Sequence, residues 1–269
     1  MSNSDFDYDV VDPNASEQTV PVYPVAQWHN GQQALKALGG VQFSGGVVLP
    51  EKYLSDGSSF PGWTKERMTF RSGKEENALT AHKISIAPIR TRFRWFARQG
   101  SETAYYPRNA FVMGANMRGH LQVLAAVQGA SEPVVITFKG KASQAFESLL
   151  KDFGAKVVQA ANRQAPKGKA LPRYAFWMPI APGPHTKAGG AGHESVVTLP
   201  TLGLAADITP EYLRSLYIGR DSLIRFQEWH QEAGAWVDAW EKSGMEHGEI
   251  ATDHDEEPDG GQAQKPNVL

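Results

Sequence analysis

Residues 89–98 read Ile-Arg-Thr-Arg-Phe-Arg-Trp-Phe-Ala-Arg. Successive side chains of a β-strand point to opposite faces, so the run divides into two rows. One row holds Ile89, Thr91, Phe93, Trp95 and Ala97 and suits a core. The other holds Arg90, Arg92, Arg94, Phe96 and Arg98, with four guanidinium groups and no acid. Same-face neighbours on a strand stand about 6.5–7 Å apart. Like charges so close repel, and this strand supplies no carboxylate to relieve them. The segment therefore reads as a half-buried strand, and its basic row needs an anionic partner. Three are possible: carboxylates of a neighbouring strand, an acidic arm of the chain itself, and a nucleic-acid backbone.

The charge distribution favours a polyanion. The 269 residues carry a formal charge of −2, but residues 1–20 hold −5, residues 241–269 hold −6, and the body between them holds +9. Residues 65–118 alone carry 11 basic and four acidic side chains. A clustered basic stretch of this kind is the electrostatic footprint of nucleic-acid binding. Aromatic residues lie close by in sequence: Phe96 in the row itself, then Tyr105 and Tyr106, with Arg108 just beyond. Arg and Lys neutralise phosphates, while rings stack on unpaired bases. Lys139 and Lys141, at the end of a strand and the start of a helix, extend the same chemistry, as do Lys167, Lys169 and Arg173 in a loop.

Periodicity sets the organisation. Residues 1–20 and 243–269 read as disordered acidic arms. Residues 21–205 read as the β-rich domain and 206–242 as a helical extension. A short helix is predicted over Gln32–Leu38, a loop over 54–63, and strands over Met68–Arg71 and His82–Arg98, with Gly-Lys-Glu-Glu-Asn at 73–77 between them. Leu121–Gln128 and Pro133–Lys139 form a hairpin. Ala142, Phe146, Leu149, Leu150 and Phe153 are spaced as one face of a helix, with Gly154 placed to stop it. A strand over Tyr174–Ile180, a Pro/Gly loop over 181–192 and a strand over Ser195–Pro200 follow. Thr209-Pro210 caps the C-terminal helix, with a break at Gly219. Phe226, Trp229, Ala233, Trp236 and Trp240 form its apolar stripe, which either docks on the sheet or serves self-association or a protein partner. The fold class is thus α+β and β-rich, an OB-like barrel with an inserted helix and a helical C-terminal extension.

That organisation resembles the OB-fold single-stranded DNA-binding proteins of bacteria and phages. The resemblance rests on strand order, a basic aromatic strand and the acidic run Asp253-His254-Asp255-Glu256-Glu257-Pro258-Asp259 near the C-terminus. It implies a largely sequence-independent binder of single-stranded DNA, with RNA left open, acting in replication or recombination. It also implies a tail that competes with the strand or docks protein partners. This tail departs from the bacterial pattern: Gly260-Gly261 follows its acids and it ends in Val268-Leu269.

Other chemistries find little footing. There are no cysteines, which removes disulfides, thiolate metal sites and thiol nucleophiles. Lys141 is followed by Ala142 and Val135 stands where a phosphate loop needs glycine. His185 and His193 share a loop with Glu194, and solvent-exposed loop histidines explain them. The body's acids are scattered, without the paired carboxylates of Mg²⁺ nucleases. A metal-dependent nuclease or phosphoesterase and a non-enzymatic assembly protein stand as the alternatives. No cofactor, metal or membrane contact is expected, and no signal peptide or membrane span, so a cytoplasmic location is the default.

Overall fold

The computed structural model of the chain describes residues 22–30, 36–37, 44–69, 75–99, 102–110, 117–166, 169–188 and 195–243. Its strands are β1 (Val25–Asn30), β2 (Lys36–Ala37), β3 (Gly45–Pro50), β4 (Thr64–Thr69), β5 (Glu75–Ala81), β6 (Ile84–Gln99), β7 (Glu102–Tyr106), β8 (Arg118–Val127), β9 (Pro133–Lys139), β10 (Met178–Ala188) and β11 (Ser195–Leu202). Its helices are α1 (Lys141–Phe153), α2 (Gln159–Arg163), α3 (Pro210–Leu216) and α4 (Arg220–Ser243). The protein is a β-rich α+β fold.

The strands join in one mixed sheet, in the order β11-β10-β6-β8-β9-β1-β3-β5-β4-β2, with β7 paired to β6. All pairs are antiparallel except β1 with β9. No ladder joins the two ends among the described residues, so the sheet is open and the closure of a barrel is not present in its hydrogen bonding. It curls instead. Trp28 Nε1 in β1 donates to the Thr198 carbonyl of β11 at 2.8 Å, and Thr198 N donates to Asn30 Oδ1 at 2.8 Å. The side chains of β1 thus meet the backbone of β11 where a ladder would otherwise run.

Both faces of the central strands are covered, which explains the unbroken apolar run of β8. Leu121–Val127 is buried throughout, as in sheets sandwiched between helices. On the inner face α1 packs through Phe146, Leu150 and Phe153 against Leu121, Val123, Ile136 and Phe138. The Phe138 and Phe146 rings stack with centroids 4.0 Å apart. Gly119 lets α1 begin this close: a Cβ there would strike Ser143 Oγ and press on the Phe93 ring. On the outer face Phe226, Ala233 and Trp236 of α4 pack on Ala87, Ile89, Leu124, Ala126 and Val135. Thr209 caps α3 by accepting from Tyr212 N, and Gly219, at φ +86°, turns the chain from α3 into α4.

Several local expectations are corrected, each by tertiary context. Lys36–Ala37 is a strand pairing with Met68 and Thr69, not helix; the rest of 32–38 lies outside the described residues. Glu75–Asn77, left between the two predicted strands, is the start of β5, where Glu75 meets Arg67 of β4 at 3.1 Å and Glu76 meets Lys52, in the turn after β3, at 2.8 Å. Gly154 does not end its helix. It stays helical at φ −56°, and a π-helical turn over Gly154–Val158 carries α1 into α2. β10 runs through Pro182 and Pro184, within the segment read as a loop. It pairs with β6 only at Met178–Ile180, so the prolines fall where the edge facing β6 is no longer paired, and the register with β11 shifts between Pro182 and His185.

Candidate nucleic-acid interface

β6 is 16 residues long, and its register with β8 slips between Pro88 and Arg90. Proline has no N–H for the ladder, and the irregularity falls beside it. Its effect is to move Ile89 out of the row assigned to it from the sequence. Ile89 packs in the outer cluster with Phe226 and Trp236, on the same side as Arg90, Arg92 and Arg94.

That basic row is not open to solvent. α4 runs along it in the direction of β6. Arg90 Nε donates to the His230 carbonyl at 3.0 Å. Arg92 Nε donates to Gln122 Oε1 at 2.8 Å, and Arg92 Nη1 to the Trp236 carbonyl at 2.7 Å. The Arg92 guanidinium lies 3.7 Å from the Trp236 ring centroid and 4.0 Å from that of Trp240. Arg94, 7% exposed, is sandwiched between Tyr105 at 3.3 Å and Trp240 at 3.5 Å. The charge is therefore met by π faces and carbonyls, a fourth class of partner beside those foreseen. Among the described residues no carboxylate pairs with Arg90 or Arg92. Burial, and then the neighbouring Arg94, push the Arg92 guanidinium down to about 8.

The remaining sequence candidates gather at one end of the sheet. Phe96 is buried and faces Tyr105 across the β6–β7 ladder, and Trp95 faces Tyr106. Tyr105 and Tyr106 are half-buried. Arg108 is exposed, lies 5.0 Å from the Phe93 ring and pairs with Glu147 of α1 at 2.7 Å. Lys139 ends β9 opposite His120, which is itself opposite Arg94, so Arg94, His120 and Lys139 form a basic row across three strands. Lys139 is half-buried and Lys141, at the start of α1, is exposed. Arg98 lies in β6 opposite Thr103; its side chain is outside the described ones. Of the loop cations, Lys169 is exposed, Arg173 is held low by burial, and Lys167 lies outside the described residues.

Four contributors were missed from sequence. Arg118 opens β8 opposite Phe96 and is exposed; it sits in the basic stretch but without a recognisable pattern around it. Gln122 relays Arg92 to Thr137 Oγ1 at 3.2 Å and is hidden within an apolar run. Trp236 and Trp240 were visible as a stripe, but nothing in their spacing says that they cap arginines. Beneath the outer face His29 is buried, and burial followed by Lys139 pushes it down to about 3.

The assembly offers cations and stacking rings. Among the described residues no cluster of three or more His, Asp or Glu could hold a metal ion, and no helix is long and apolar enough to cross a membrane. No family model, curated protein or solved structure matches the chain.

Proposed function

We propose that this chain binds single-stranded nucleic acid, DNA in preference to RNA, without strong sequence preference. One observation carries the reading: Arg118 and half-buried Lys139 lie in the rows of the Arg94–Tyr105 stack, and exposed Arg108 and Lys141 lie at the same end of the sheet on its α1 side. Cations spaced along a track with rings at hand are what a single strand requires, because its phosphates are neutralised while its bases stack. The arginine row then continues the track beneath α4. The side-chain seam between β1 and β11, and a helix inserted between β9 and β10, support an OB-like reading of the curled sheet. The acidic residues after Ser243 carry the charge to compete with a strand for the basic row or to receive protein partners. A role in replication or recombination in the cytoplasm follows from the same reading.

Fluorescence anisotropy with labelled single-stranded and duplex DNA of equal length tests this. Binding that prefers the single strand, and that falls for every sequence alike in Arg118→Glu and Lys141→Glu, supports it. Equal affinity for duplex, indifference to both reversals, or Mg²⁺-dependent cleavage of the probe contradicts it.

A further inference from the structure

The contact beneath α4 changes character along its length. Its first half is anchored mainly by apolar packing: Phe226 and Ala233, with Ile218 just before the helix, lie on Ala87, Ile89, Leu124, Ala126 and Val135, and one guanidinium, that of Arg90, bonds the His230 carbonyl. From Trp236 onward the surface beneath is polar and cationic, made of Arg92, Gln122, Arg94 and His120. Trp236 belongs to both halves, touching the apolar cluster, the Tyr23 ring at 6.2 Å and Arg92. Trp240 stacks on Arg92 and Arg94 and meets the His120 ring edge-on at 5.2 Å.

Gly234 stands at the boundary between the two halves. A Cβ there would meet nothing within 4 Å, so packing does not require glycine. Glycine inside a helix weakens it by about 1 kcal/mol relative to alanine. The weak point of the helix thus falls where the apolar anchor gives way to the stacked arginines.

The interactions holding the last turns are also those that a single strand can replace. Ring faces on guanidinium have base faces as their equivalent, and a carbonyl accepting from guanidinium has a phosphate oxygen. We propose that residues 235–243 of α4 form a displaceable cover, hinged near Gly234, whose Trp236 and Trp240 rings occupy the positions on Arg92 and Arg94 that the bases of a bound single strand take. This rests on the single-strand reading above and deepens it. The binding track has an exposed part at Arg118 and Lys141, with half-buried Lys139 beside Arg118, and a covered part at Arg92 and Arg94. A strand engages the first and exchanges partners in the second.

The test uses the full chain and an oligo(dT) probe. Hydrogen exchange measured with and without probe reads the cover directly: amides of 236–243 exchange faster on binding, while those of 222–233 keep their protection. Two substitutions then move affinity in opposite directions. Trp240→Ala removes a competitor and tightens binding about tenfold, the factor by which a cover closed nine-tenths of the time lowers affinity. Gly234→Ala stiffens the hinge without adding a contact and weakens binding about fivefold, the equivalent of the helix propensity gained. Protection over 236–243 that holds or rises on binding overturns the cover. So does unchanged affinity in both variants while Arg118→Glu and Lys141→Glu still lower it, a result that leaves the single-strand reading standing. Absence of probe binding at any salt concentration removes both.

Discussion

Acidification should destabilise this protein through His29. The side chain is 4% exposed on the outer face of β1, two residues beyond the Gln27–Thr137 pairing that places it beside the end of β9 and Lys139. Burial first, and the Lys139 ammonium second, hold its pKa near 3, well below the ordinary value of 6.5. A lowered histidine pKa means that the unfolded chain takes up the proton more readily. The stabilising contribution is fully present above pH 6.5 and is lost as pH falls from there towards 3. One pKa unit corresponds to about 1.4 kcal/mol, so the loss at pH 5 is about 2 kcal/mol. Urea denaturation of the full chain at pH 7.5, 6, 5 and 4.5 measures it, with His29→Gln as the control. In the wild type the midpoint falls steadily below pH 6.5; in the variant that part of the slope disappears. The reasoning fails if both proteins show the same acid slope, or if stability holds flat from pH 7 to pH 5.

Other substitutions test the scaffold and the rim of the interface. Phe146→Ala removes a fully buried ring stacked on Phe138 between α1 and the sheet, and should cost about 3–5 kcal/mol in denaturant unfolding. Thr209→Ala removes the cap on Tyr212 N and should cost about 1 kcal/mol. Glu147→Gln breaks an exposed pair with Arg108, so stability should change by less than about 1 kcal/mol. The same change leaves Arg108 available to phosphate and should tighten oligo(dT) binding modestly in anisotropy; weaker binding would place Arg108 outside the track.

The strand-and-helix framework was legible where period and length agreed. The β8–β9 hairpin and α1 follow from alternation and from apolar residues at helical spacing, and Thr209-Pro210 marks the start of α3 by its cap chemistry. The sequence reading stopped at β5, where paired charges carry a segment left between two predicted strands, and at β10, where prolines are tolerated because the β6 partner has ended. Gly154 shows the limit of single-residue signals, since a C-cap glycine and a helical glycine are the same letter. The basic row was read with its face and its spacing, but its partner was not. Two tryptophans on a helix some 140 residues away cap the arginines, and such pairing is set by tertiary packing alone. The slip at Pro88 was also invisible, because alternation assumes an uninterrupted ladder. The gathering of Arg118, Lys139 and Lys141 likewise depends on the register of three strands.

The salt dependence of oligo(dT) binding tests the central claim most directly. Each phosphate contact on a single strand contributes about −0.7 to the slope of log K against log salt concentration. Arg108, Arg118, Lys139 and Lys141 give a slope of about −2.8, and Arg92 and Arg94 bring it to about −4 when the cover lifts. Affinity should then fall at least about 50-fold between 50 and 200 mM salt. A slope shallower than about −1, or binding that ignores salt altogether, would contradict a phosphate track at this end of the sheet.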